Sequence, residues 1–183
     1  MTILLETERM LLREFTTEDS QLLFELNNDP EVMFYINAGQ PVPMAEIVEE
    51  TLPAFLAYYR DGDRFGFWAA NEKATGTFLG WFHLHRGERS TDPELGYRLH
   101  RAAWNRGLAT EGCAALIERA FQDPTISRIY AETMVVHTAS RRVMEKVGMR
   151  FVRIFHADWP FRIPGDEHGD VGYEITRAEW GNR

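Results

Sequence analysis

Apolar and charged residues alternate from Arg9 to Phe15, which predicts a strand with one buried face. Thr16 and Asp19 follow with the spacing of a helix N-terminal cap, Asp replacing the usual Glu. Leu22, Leu23 and Leu26 give the apolar stripe of a first helix, which the cluster Asn27-Asn28-Asp29-Pro30 should terminate. A second helical stretch runs from about Met44 to Tyr59, with Val48, Leu52, Phe55, Leu56 and Tyr59 near helical spacing. Pro53 lies inside it and has no N–H to donate, so a kink or break is expected there. Phe65 to Ala70 and Thr77 to His85 read as strands around the turn-like stretch 71–76, and Glu94 to His100 as another. Gly107 to Phe121 reads as a helix, with Leu108, Gly112, Ala115, Leu116 and Ala120 on one face. After a strand from Arg128 to Val135, Ala139, Val143 and Val147 mark a further helix that Gly148 ends. Strands near Phe151–His156 and Val171–Thr176 complete the order β-α-α-β-β-β-α-β-α-β-β. That order predicts an α+β arrangement, a mixed sheet flanked by helices.

The chain has 183 residues, 44% of them apolar, enough for a core without disulfides or a structural metal. With no linker, repeat or low-complexity tract, residues 1–183 read as one domain. A net charge of −8 argues against nucleic acid as partner, because phosphate backbones attract basic faces. Cys113 is the only cysteine, so no intrachain disulfide forms and a reducing, cytoplasmic setting is expected. The N-terminus lacks a signal-peptide pattern, and no apolar run reaches membrane-span length, so no membrane role is expected. His83 and His85 alternate on one strand face beside Trp81, but no carboxylate or cysteine sits at ligand spacing. No metal is expected, and partly exposed strand histidines are the simpler account. Cys113 reads as a small buried hydrophobe rather than an acyl-transfer nucleophile.

Candidate chemistry gathers where the strand Glu94–His100 runs through Trp104 and Asn105-Arg106-Gly107 into the helix at Leu108-Ala109-Thr110-Glu111. Backbone N–H groups at a helix start lack intrahelical partners and can receive an anion such as a pyrophosphate. Gly107 would let a ligand approach the backbone closely, and Arg106 adds positive charge. A glycine at a helix start is equally a simple turn, so this segment alone is a weak signal.

A second segment strengthens it. The strand 127–133 leads into His137-Thr138-Ala139-Ser140-Arg141-Arg142-Val143-Met144-Glu145-Lys146-Val147-Gly148-Met149. Together with the W-x-x-G-x-A-T-E loop at Trp104–Glu111, this helix resembles the GNAT superfamily, specifically the branch with the ribosomal-protein Nα-acetyltransferases. The resemblance covers almost the whole chain, beginning at Leu5-Glu6-Thr7-Glu8-Arg9. It implies a twisted mixed sheet of about seven strands flanked by four helices. A bulge would splay two parallel strands, here Glu94–His100 and Arg128–Val135, around the acetyl-pantetheine arm.

What the resemblance implies for chemistry is direct transfer from acetyl-CoA, as cosubstrate, to an amine. The backbone of Arg98, Leu99 and His100 would bind the arm, and a backbone N–H would polarise the thioester carbonyl. Asn105, Arg106, Gly107, Leu108, Ala109 and Thr110 would hold the pyrophosphate, with His137 and Ser140 as further cofactor contacts. Glu94 matches the general-base position, and Asp158 is a second candidate; a solvated strand-end glutamate is the bland alternative. The family's usual acid, a tyrosine four residues before the terminal glycine, is replaced by Met144, leaving Ser140 as candidate acid or backbone cap. His137 stands where asparagine is usual, and Trp104 where the wider superfamily has Gln or Arg. The acceptor is left open between a protein N-terminus, an amino acid, a polyamine and an aminated antibiotic. So are transfer of another acyl group, a CoA-binding module without turnover, and homodimerisation.

Overall fold

The structure, a computed structural model, describes residues 2–60, 65–86, 92–160 and 162–182. Two strands open it, β1 (Ile3–Glu6) and β2 (Met10–Glu14), followed by a 3-10 turn at Thr17–Asp19. The Asp19 carboxylate accepts from the Thr16 N–H at 2.7 Å and pairs with both terminal nitrogens of Arg13, at 2.7 and 2.8 Å. Helix α1 (Ser20–Asn27) ends where the sequence indicates, but the chain does not then loop. Asp29 caps Glu31 N–H and Pro30 occupies the first turn of a further helix, α2 (Pro30–Asn37). The same four residues therefore stop one helix and start the next, because proline and an aspartate cap favour a helix N-terminus.

Next come α3 (Met44–Glu46), a π turn at Ile47–Thr51, and α4 (Leu52–Arg60). The expected kink at Pro53 is replaced by this π turn, in which Leu52 N–H bonds Ile47 O. The wider turn shifts the ladder just ahead of the proline, so the missing N–H is absorbed without a break.

Strands β3 (Gly66–Glu72), β4 (Phe78–Arg86) and β5 (Pro93–Leu99) follow, and a 3-10 turn leads to α5 (Leu108–Phe121). Then come β6 (Arg128–Met134), α6 (Thr138–Lys146), β7 (Arg150–Phe155), β8 (Asp170–Thr176) and α7 (Arg177–Gly181). Among the described residues eight strands join one sheet in the order β1-β2-β3-β4-β5-β6-β8-β7, and of these neighbours only β5 and β6 run parallel. The sequence reading placed seven strands and missed β1.

Apolar residues cover both faces of the sheet, as expected where helices flank it. One cluster joins Phe82, Leu84, Leu95 and Leu99 to Leu108, Leu116 and Ile117 of α5 and Met144 of α6. The other joins Ala69, Phe78 and Trp81 to α1, α2 and α4 through Leu23, Leu26, Met33 and Phe55. A register shift between Ala70/Gly80 and Asn71/Phe78 puts one extra residue, Leu79, into β4. The bulge thus lies in β4, while the β4–β5 ladder is continuous from Gly80/Leu99 to Arg86/Pro93. Gly80 is required at that point, since its φ is 130° and a Cβ would overlap the Arg98 carbonyl oxygen.

Candidate active site

Parallel strands normally share an evenly spaced ladder. Here β5 and β6 share one register pair, Glu94 with Tyr130, beyond which no pairing joins them. The His100 N–H donates to Leu79 O at 2.9 Å, and bonded pairs alternate along an antiparallel ladder. By that alternation Arg98 and Gly96 turn their backbone groups toward β4, leaving those of Tyr97 and Leu99 facing the gap. The Leu99 carbonyl accepts the Trp104 indole N–H at 2.8 Å, so its N–H and the Tyr97 peptide groups are those left over. A cavity of about 1020 Å³ fills the gap and continues on both sides of the sheet.

Side chains of β5 alternate across this gap. Glu94, Gly96 and Arg98 face α1, α2 and α4; Leu95, Tyr97 and Leu99 face α5. Glu94 is half-buried, 3.3 Å from the Tyr130 hydroxyl and paired across the ladder with His85. Burial raises its pKa above the ordinary value, and the nearby Glu132 charge adds to this against His85 and the Tyr130 hydrogen bond. Such a carboxylate is a better proton acceptor than a solvated one. His83 lies directly over Gly96, where a Cβ would overlap its Nε2. Burial, with the charges of His85 and Arg98, pushes His83 well below its usual pKa, so it is neutral. His83 and His85 are partly exposed, as read from the sequence, and both rings pack with Phe67, at 4.9 and 5.4 Å between ring centroids. Among the described residues no three His, Cys, Asp or Glu side chains form a metal-binding group.

On the α5 side, Ser140 is buried and close enough to the Tyr97 hydroxyl to act on its pKa. Burial raises the Tyr97 pKa, so that phenol keeps its proton. Cys113 lies beside it, its thiol also pushed up by burial, consistent with the apolar role read from the sequence. Met144 is buried at the position read as lacking the acid.

Helix α5 begins at Gly107 in the left-handed region, φ 78°, and no side chain caps it. Asn105 also has positive φ, 57°. The exposed turn therefore presents the Leu108, Ala109 and Thr110 amides without a side-chain acceptor, as a pyrophosphate site requires. Arg106 points elsewhere: it pairs with Glu72 and does not line the cavity. His100 does not line it either, and its N–H is spent on Leu79. Arg98, Leu99, Asn105, Gly107, Leu108, Ala109, Thr110, His137 and Ser140 all do, with Glu94. Asp158 is exposed and off the wall, whereas the buried Asp170 is on it, accepting from Ala157 N–H and Trp159 Nε1 at 3.2 Å each. His137 stacks on Tyr35 of α2 at 4.2 Å and 18°, and burial lowers its pKa to about 4. Tyr97, Tyr130 and Tyr35 were missed in the sequence. The alternation of β5 around Glu94 was a usable signal for Tyr97; Tyr130 and Tyr35 depend on long-range register and packing.

Residues 9–150 match the model of the acetyltransferase (GNAT) domain family. The chain is 32% identical over 185 residues to an FsC-acetyl coenzyme A-N(2)-transacetylase of Aspergillus fumigatus, covering 96% of this chain and 77% of that one. It is 30% identical to an uncharacterised N-acetyltransferase, YnaD, of Bacillus subtilis, covering 95% of this chain and 97% of the other. Among solved structures, a ribosomal L7/L12 alpha-N-protein acetyltransferase in complex with coenzyme A superposes with a TM-score of 0.79. That match is 15% identical and covers 95% of this chain and 97% of the other.

Proposed function

The chain belongs to the GNAT acetyltransferase family and is an acetyl-CoA-dependent N-acetyltransferase, and from that premise we propose direct transfer to a primary amine with Glu94 as base and Ser140 as acid. The observation that carries this is the single β5–β6 pair, which opens a passage through the sheet with Glu94 on one side and Ser140 on the other. Acetyl-CoA supplies an acetyl group held as a thioester.

An amine attacks only when its nitrogen is neutral, and amino groups with pKa of about 8 to 10 are largely protonated at neutral pH. Glu94, raised by burial, takes that proton directly or through a water. Its Tyr130 hydrogen bond fixes the orientation of the carboxylate. The N–H groups of Tyr97 and Leu99 face the gap as donors for a carbonyl oxygen that gains negative charge. On the opposite side Ser140, buried beside Tyr97, delivers a proton to the departing sulfur. A leaving thiol has a pKa near 8.5, so this demand is modest. The stacked Tyr35 and His137 bridge α2 and α6 over the cleft, which favours a small-molecule amine over a protein N-terminus.

Release of free thiol from acetyl-CoA across a panel of amines tests the assignment. Turnover that falls in Glu94→Gln, with CoA affinity kept, is the expected result. Binding of CoA without thiol release for any amine would instead make the protein a binding module.

A further inference from the structure

Among the described residues Arg98 is a cation without a carboxylate counter-charge. Its guanidinium offers five N–H donors. Among the described residues its one hydrogen-bond partner is Asn27, whose Oδ1 accepts from Nη1 at 2.5 Å, and no carboxylate forms an ion pair with it. Its Nε is buried and unpartnered, and so is Nε1 of Trp81, the residue opposite it on β4. The guanidinium lies 5.0 Å over the Trp81 ring. Burial alone lowers its pKa to about 10, which still leaves it charged at neutral pH. Two adjacent, inward N–H donors, one of them cationic, are costly unless an acceptor meets them.

Space for that acceptor exists. A side chamber of about 790 Å³ is lined by Asn27, Asn37, Trp81 and Arg98, with Glu46 and Arg162 as its other charged residues. Arg98 and Trp81 line the main cleft as well, so the two spaces meet at this pair. Asn37 Oδ1, in the same chamber, is also buried without a partner. The other end of the β5 face has the opposite sign, carrying Glu94 with Glu132 nearby. Glu94 and Arg98 are four residues apart on one strand face, roughly 13 Å along the backbone.

We propose that Arg98 and the Trp81 indole N–H bind a carboxylate on the amine acceptor, so that the substrate class is amino acids rather than simple amines or polyamines. The inference rests on the acetyl-transfer reading above and names the acceptor within it. The acceptor lies along β5 with its amine toward Glu94 and its carboxylate in the fork of Arg98, which suits bidentate recognition of a planar anion.

Acetyl transfer is measured with amino acids of increasing length, such as β-alanine, 4-aminobutyrate and 6-aminohexanoate, each paired with its primary amide. The acids are expected to exceed their amides in kcat/KM by roughly tenfold or more for the best length. That ratio should collapse toward one in Arg98→Met and fall partway in Trp81→Phe, which keeps the ring. A second readout is independent of turnover: tryptophan fluorescence of the intact protein titrated with pentanoate, pentanamide and inorganic phosphate. Saturation with pentanoate alone, absent in the folded Arg98→Met protein, supports the site; if that variant fails to fold, the acid-to-amide kcat/KM ratio of Trp81→Phe carries the comparison. Equal turnover of acids and amides, or a response to phosphate with none to pentanoate, overturns the proposal while acetyl transfer stands. Absence of thiol release with every amine strikes the transfer reading instead, and pentanoate binding then decides the site alone.

Discussion

Glu94 shows how one side chain acquires its chemistry from its neighbours. Burial holds its carboxyl above the ordinary range, and Tyr130 keeps it pointed into the gap. Replacing it by Gln should lower kcat by about 10² to 10⁴, the usual worth of a positioned base, with CoA affinity by calorimetry unchanged. Because the base form is lost as pH falls through a raised pKa, wild-type kcat/KM should show an ascending limb above the ordinary carboxylate range. The Gln variant should lack that limb. Asp19 is shifted the other way. Burial works to raise its pKa, but the Arg13 and Thr16 hydrogen bonds and the Arg13 charge outweigh it and leave it lowered. A depressed carboxylate contributes stability above its unfolded pKa, about 3.9, and loses it as pH falls through the folded value. Asp19→Ala leaves Arg13 unpaired in a mostly buried site and should cost about 3 kcal/mol in urea unfolding at neutral pH. The gap between variant and wild type should narrow in acid below about pH 4.

At the scale of elements, periodicity located strands β2 to β8 and two of the helices that line the cleft, α5 and α6, because amphipathic spacing is a local property. What escaped it was set by neighbours. The cluster from Asn27 to Pro30 spells a stop and a start alike, and only packing of Met33 against the α1–α4 core selects α2. Pro53 announced a disturbance but not its form. The uncapped helix start at Gly107 could be read from its residues, whereas the orphaned Arg98 and the placement of Ser140 beside Tyr97 require knowing which way β5 faces. The closeness of β4 and β5 gives a sharper test. At Gly80 a methyl group would overlap backbone, which cannot yield as a flexible side chain can. Gly80→Ala should therefore destabilise by about 3 kcal/mol in urea unfolding, the upper range of overpacking. Gly76→Ala, at φ 72° with open space around it, should cost only about 1 kcal/mol of backbone strain.

Taken whole, the sheet is two pieces, β1 to β5 and β6, β8 and β7, joined in the ladder by one pair. A ligand that bridges them stabilises the folded state by mass action, by about 2.7 kcal/mol at a hundredfold excess over Kd. Acetyl-CoA should accordingly raise the melting temperature, and the rise should grow with the logarithm of its concentration. The seam has a further consequence. Amides along a closed ladder shield one another from solvent, but those of Tyr97 and Leu99 look across at nothing they can bond. In deuterium oxide they should label early, while their neighbours Gly96 and Arg98, tied to β4, label late. The alternation of fast and slow positions along one short strand would be a fingerprint of the fold at rest, erased when the cosubstrate zips the lips together.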